Sequence, residues 1–161
     1  MERDVLCHRQ HALDPRRVGE RTDAVAGRPA RGLGRHSARR ALLLSRVLIA
    51  DDDPLLLELL HDFLASQGYE VVAVATGTQV LEAVPTFQPD VIVVDMVLPG
   101  LSGIEILTAL RQAACAVPVI LISGHQIIMR EGFFGVLRKP FHFRRLAEVV
   151  AAAVNHGPTG A

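Results

Sequence analysis

Four short apolar runs in this chain each end in a group that could do chemistry. Asp51, Asp52 and Asp53 follow Val47-Leu48-Ile49-Ala50, and Asp95 follows Val91-Ile92-Val93-Val94. A hydroxyl, Ser123, follows Val119-Ile120-Leu121-Ile122, and an ammonium, Lys139, follows Gly135-Val136-Leu137-Arg138. Carboxylates gathered at one edge repel one another and raise at least one pKa. A divalent cation relieves that repulsion, and an oxygen-only donor set favours Mg²⁺, which binds phosphate oxygens beside one or two carboxylates. A hydroxyl and an ammonium facing the same place suit the remaining phosphoryl oxygens. The set describes phosphoryl transfer to a carboxylate, with Asp95 as the nucleophile. Lys139 is the only lysine beside sixteen arginines. A compact point charge differs chemically from a planar fork, which gives this position modest extra weight.

These groups meet only if the intervening elements bring them together. The run at 47–50 reads as a buried parallel strand. Pro54 opens a helix with Leu56, Leu59, Leu60, Phe63 and Leu64 on one face, closed by Gly68. Val71-Val72-Ala73-Val74 is a second strand, and residues 78 to about 84 form a short helix that Pro85 ends. The third strand lies at 91–94. Pro99-Gly100 makes a turn, and Ser102 caps a third helix with Glu105 completing a capping box. A fourth strand at 119–122, a shorter fifth at 135–138 and a last helix at 143–154 complete the order. Apolar strands alternating with amphipathic helices predict an α/β fold whose parallel sheet is covered on both faces. Ligands of such sheets collect beyond the carboxyl ends of the strands, where all four groups stand.

Composition bounds the rest. At 161 residues the chain suits one domain with a real core, and 17 Lys+Arg balance 17 Asp+Glu. That balance predicts no bulk attraction to nucleic acid or to an anionic membrane. It also hides a split. Residues 1–45 hold ten arginines and five acids, a net of +5, whereas residues 46–161 hold seven basic and twelve acidic groups, a net of −5. The arginine-rich segment carries no sustained apolar period and is expected to be a disordered tail. No aromatic residue interleaves its arginines, which argues against a nucleic-acid-binding arm. Arg39-Arg40 precedes an apolar run that stops at Ser45-Arg46, too short for a twin-arginine signal. The longest uncharged apolar stretch, residues 113–122, contains Pro118 and cannot span a bilayer. Cys7 and Cys115 form no disulfide framework, which fits a reducing, cytoplasmic setting.

Four stretches, in order, resemble the receiver domain of two-component response regulators. Val47-Leu48-Ile49-Ala50-Asp51-Asp52-Asp53-Pro54 is similar to its opening. The stretch from Asp90 through Asp95 to Pro99-Gly100-Leu101-Ser102-Gly103 resembles its phosphoacceptor strand and loop. Pro118-Val-Ile-Leu-Ile-Ser123-Gly124 and Leu137-Arg138-Lys139-Pro140-Phe141 match the other two signatures. The resemblance implies a flavodoxin-like, doubly wound sheet of five parallel strands over residues 46–156, with 157–161 as a tail. It implies that Asp95 accepts a phosphoryl group from a sensor histidine kinase or a phosphotransfer protein. Asp51 and Asp52 would hold Mg²⁺ with Asp95 and the backbone carbonyl of Val97. Ser123 would bind the aspartyl phosphate, Lys139 would contact a phosphate oxygen, and Pro140 would follow through a cis peptide bond. The domain so implied is a signalling module and not an enzyme in its own right. After the last helix only Asn155 to Ala161 remain, so a stand-alone receiver is expected, with an unknown downstream protein partner, no direct nucleic-acid binding and no membrane contact. A homodimer is compatible with this reading.

Two features depart from the family. Val136 stands three residues before the lysine, where the family usually places Tyr or Phe, and has no ring to swing inward. The interval from Ser123 to Lys139 is short by about one and a half helical turns, so the family's fourth helix must be stunted or replaced by a loop. Phe133 and Phe134 are expected to cover the sheet edge. These departures favour one alternative, a degenerate receiver that binds partners without a phospho-switch. A more remote one is a phosphatase resembling the haloacid-dehalogenase superfamily, in which Asp51 and Asp53 would act as nucleophile and general acid. Simpler roles also exist: Asp51 to Asp53 as helix-capping acids, Ser123-Gly124 as an ordinary turn, and His61 as a surface residue.

Overall fold

The computed structural model describes residues 44–127 and 131–157. Five strands form one sheet: β1 (Arg46–Ala50), β2 (Glu70–Val74), β3 (Val91–Asp95), β4 (Val119–Ser123) and β5 (Gly135–Arg138). Four helices connect or follow them: α1 (Pro54–Ser66), α2 (Gly77–Phe87), α3 (Gly103–Gln112) and α4 (Phe143–His156). The strands lie in the order β2-β1-β3-β4-β5, all parallel. This is the doubly wound arrangement expected. Among the described residues no helix is long and apolar enough to cross a membrane. The tail expected over residues 1–45 lies almost wholly outside the described residues, as do residues 158–161.

Each strand divides its side chains between two cores, because successive residues point to opposite faces. In β4, Val119 and Leu121 join one cluster with Val80 and Val84 of α2 and Ile106, Leu107 and Leu110 of α3. Ile120 and Ile122 join the other with Leu60 and Leu64 of α1 and Leu146, Val150, Ala153 and Val154 of α4. The central strands are sealed on both sides, which is why they read as continuous apolar runs.

Local signals set most of the boundaries. Asp53 caps α1, its side chain accepting from the amides of Leu55 and Leu56. Ser102 and Glu105 form the expected capping box at α3, and Thr76 with Gln79 forms a second at α2. The expectation for α1 needs one correction: Leu60 and Leu64 are buried, but Leu59 is 48% exposed and Leu57 packs inward instead. A second correction concerns Pro85, which lies inside α2. A proline this near a helix end removes one backbone bond, and Phe87 gains contact with the core by continuing the turn. The helix stops at Gln88, in a left-handed conformation.

Between β4 and β5 the described residues, 124–127 and 131–134, form bends and a turn and no helix. Residues 128–130 of that connection lie outside the described residues. β5 is nevertheless paired along its length: the amide of Phe134 donates to Val119 O at 2.8 Å, and that of Lys139 to Ser123 O at 2.8 Å. The Lys139–Pro140 peptide bond is cis, as the resemblance implied.

Candidate functional site

The sheet order places the chemistry. Crossovers reverse direction between β1 and β3, and Ala50 pairs with Val94 in register, so Asp51 and Asp95 follow from neighbouring strand ends. Asp95 is the last residue of β3 and Asp51 the first beyond β1; both are buried, while Asp52 is exposed. Carboxylate oxygens of Asp51, Asp52 and Asp95 lie within 4.8 Å of one another. Asp53, by contrast, turns away to cap α1. The capping role therefore falls to one acid of the three. The phosphatase-like pairing of Asp51 with Asp53 is not what the fold builds.

Backbone donors orient the two buried carboxylates. The amide of Asp53 donates to Asp51 Oδ1 at 2.9 Å, and the amide of Val97 to Asp95 Oδ1 at 2.9 Å. Lys139 comes from the end of β5, two strands away from β3, and its Nζ donates to Asp51 Oδ2 at 2.7 Å and also to Asp95 Oδ2. One ammonium thus bridges two buried acids whose other oxygens are already held. Burial pushes the Asp51 carboxyl above the usual aspartate range; the Lys139 bond and charge pull against this without cancelling it, and the Asp95 charge adds to it. Burial pulls the Lys139 ammonium down, but its bonds to Asp51 and Asp95 outweigh that and hold it above the usual lysine value.

Ser123 ends β4, wholly buried, and Asp95 pairs with Ile122 in register. Its hydroxyl donates to His125 O at 3.2 Å and accepts from the His125 amide at 3.0 Å. Val97 follows Asp95 on the same loop, with its side chain 62% exposed. Leu55 and Leu59, one turn apart on α1, are exposed as well, so apolar groups stand on segments that adjoin both acidic strand ends. His61 is a surface residue paired with Asp62 at 3.1 Å. Val136, at the position where the family carries a ring, packs partly buried against the α2–α3 side of the core. Phe133 packs on that same side and Phe134 on the other, so the two rings straddle the sheet edge.

Sequence reasoning missed one contact at the site and one at the far end of α3. The backbone turn at His125 carries no side-chain signature. Arg111 carries a faint one, as the basic residue in the last turn of α3. Its guanidinium donates to Cys115 O at 2.6 Å, Val117 O at 3.1 Å and Gly132 O at 3.4 Å.

An acid pocket at the switch point of a five-stranded doubly wound sheet, closed by a lysine from the edge strand, is the architecture of a receiver-type signalling domain. The chain belongs to the response regulator receiver domain family, whose model matches residues 47–151. It is 32% identical over 113 residues to the DNA-binding response regulator MtrA of Mycolicibacterium smegmatis, covering 66% of this chain and 49% of MtrA. Among solved structures it is similar to the Francisella response regulator 1452 receiver domain, with a TM-score of 0.66 and 28% identity over 70% of this chain and 98% of that one. It is also similar to the response regulator TrrA of Thermotoga maritima in complex with Mg²⁺-BeF, with a TM-score of 0.63 and 26% identity over 68% and 99% of the two chains. The chain therefore spans about half the length of the curated relative it matches. That comparison corrects the expectation of no direct nucleic-acid binding. MtrA is a DNA-binding regulator, and the match covers its receiver part, so the five residues after the last helix say nothing against DNA binding.

Proposed function

We propose that this receiver is phosphorylated on Asp95 by a histidine kinase, with Mg²⁺ held by Asp51, Asp52, Asp95 and the Val97 carbonyl. The observation that carries this reading is the convergence of three carboxylates with one ammonium at a single sheet edge. The donor set fits a hard cation: it is all oxygen, its three carboxylates offer atoms within 4.8 Å of one another, and two of its acids are buried. Mg²⁺, when bound, neutralises charge as the phosphoryl group approaches.

The chain's own groups do the rest. The Val97 amide holds Asp95 Oδ1, which fixes the carboxylate plane, so Asp95 Oδ2 is the attacking atom. It is also the atom that Lys139 contacts. Lys139 Nζ must then exchange a carboxylate oxygen for a phosphoryl oxygen, keeping its charge as it does so. Ser123 can reach a phosphoryl oxygen only by releasing the His125 carbonyl. Occupancy of Asp95 would in this way be felt in the β4–β5 connection. The relative solved with Mg²⁺-BeF supports the same chemistry at this fold.

Incubation with acetyl phosphate and Mg²⁺ tests the reading. The wild-type chain should gain one phosphoryl mass, stable in acid and labile in base, and Asp95→Asn should gain none. No adduct on the wild type, or an equal one on Asp95→Asn, contradicts it. A second reading, a receiver that binds partners without switching, is favoured by the ringless Val136. It predicts identical hydrogen exchange near Ser123 and Gly135 with and without beryllofluoride.

A further inference from the structure

Release of the His125 carbonyl by Ser123 would reach the start of the β4–β5 connection; the end of that connection, residues 131–134, is tied to the pocket by a different element. Helix α3 is fastened at both ends to the two segments concerned. At its start, the Gly103 amide donates to Met96 O at 3.1 Å, one residue past Asp95. A Cβ at Gly103 would lie 2.9 Å from Asp95 O, 2.8 Å from Val94 Cγ2 and 2.6 Å from Leu121 Cδ1, so the helix begins pressed against the phosphoacceptor strand end. The Ser102–Glu105 capping box fixes that first turn.

At its other end, Arg111 reaches two segments at once. Its bonds to Cys115 O and Val117 O, at 2.6 and 3.1 Å, anchor the guanidinium to the lead-in of β4. Its third bond, to Gly132 O, crosses to the lead-in of β5; at 3.4 Å it is exposed and longer than ordinary N–H···O bonds. Leu107, one turn back on α3, sits under the same glycine, 3.0 Å from where a Cβ would be. The fork is thus firmly held on one side and loosely on the other, as a contact that opens and closes at small cost requires.

We propose that α3 is the strut through which the state of the Asp95 pocket reaches residues 131–134, at the lead-in of β5, with Arg111 as the latch on Gly132. This rests on phosphorylation at Asp95. A shift of the Asp95–Ser102 loop on phosphorylation moves a ten-residue rod, about 15 Å long, as one body. Its far end then makes or breaks the Gly132 contact, which gives residues 131–134 two discrete arrangements rather than a graded one.

Amide hydrogen exchange on the full chain, with and without beryllofluoride and Mg²⁺, tests this. In the wild type, exchange should change at Met96 and Val97, and by roughly fivefold at residues 131–134, the worth of one exposed hydrogen bond. Arg111→Gln should keep the change at Met96 and Val97 and lose it at 131–134. Because that variant also gives up the two inner bonds, Gly132→Ala attacks the outer contact alone, through the Leu107 clash and the +82° φ, and should uncouple in the same way. A response at 131–134 that survives in both variants, or that is absent from a wild type responding at Met96 and Val97, overturns the strut. No response at Met96 and Val97 in the wild type instead removes the pocket reading, and the strut with it.

Discussion

The acid pocket stands at the carboxyl end of the sheet, whereas the β4–β5 connection runs from that end back to the other, and the two are built in opposite ways. The pocket draws one or two residues from each of three strand ends, and sheet pairing alone sets their spacing. The described end of the connection is held by scattered contacts instead, from Arg111 and Leu107 to Gly132 and from Phe133 to the core. Shortening it leaves Lys139 in place, because Phe134 and Lys139 still bond to the two ends of β4. Chemistry carried on strand ends is insulated from the loops between them, while signalling carried on a loop is not.

That contrast can be broken or sharpened by substitution. Leu121→Ala, in fully buried β4, should cost about 3 kcal/mol in urea unfolding, and Phe133→Ala, half-buried in the connection, only about 1 kcal/mol. Equal costs would mean that the connection is as much a part of the core as the sheet. Lys139→Ala deprives two buried acids of their shared partner and should cost about 2 kcal/mol without metal. Added Mg²⁺ should recover most of that in a thermal melt, and a loss indifferent to Mg²⁺ would separate the lysine from the cation site. The smallest effect concerns Glu105, whose carboxyl is held below its usual pKa by the Ser102 amide and hydroxyl. Its contribution is present above the ordinary carboxylate pKa and lost as pH falls through the lower folded value. Wild type should therefore lose slightly more stability on acidification than Glu105→Gln, and matching acid profiles would discount the capping box.

The strands and the pocket were legible because one pattern serves both: an apolar run sealed on two faces, ending in a polar group. Asp51, Asp52, Asp95 and Lys139 meet as that pattern implies. Two local errors have physical causes. Leu59 matches the helical period, but the face that packs on the core is centred on Leu60 and Leu64 with Leu56, Leu57 and Phe63 beside them, and Leu59 falls outside it. Pro85 reads as a terminator, yet near a helix end its missing donor costs one bond only. What was not legible depends on backbone carbonyls far away in sequence. The Arg111 fork spans 21 residues to Gly132, and the Ser123 hydroxyl is satisfied by the main chain of His125. Neither partner has a side-chain signature.

Peptide mapping after acetyl phosphate treatment, with Mg²⁺ or with EDTA, tests the central claim most directly, because it reports both the residue modified and its need for the cation. The account predicts a single acyl phosphate, on Asp95, that forms with Mg²⁺ and disappears with EDTA. A label on Asp51 or Asp52, or one that forms equally well in EDTA, would contradict it.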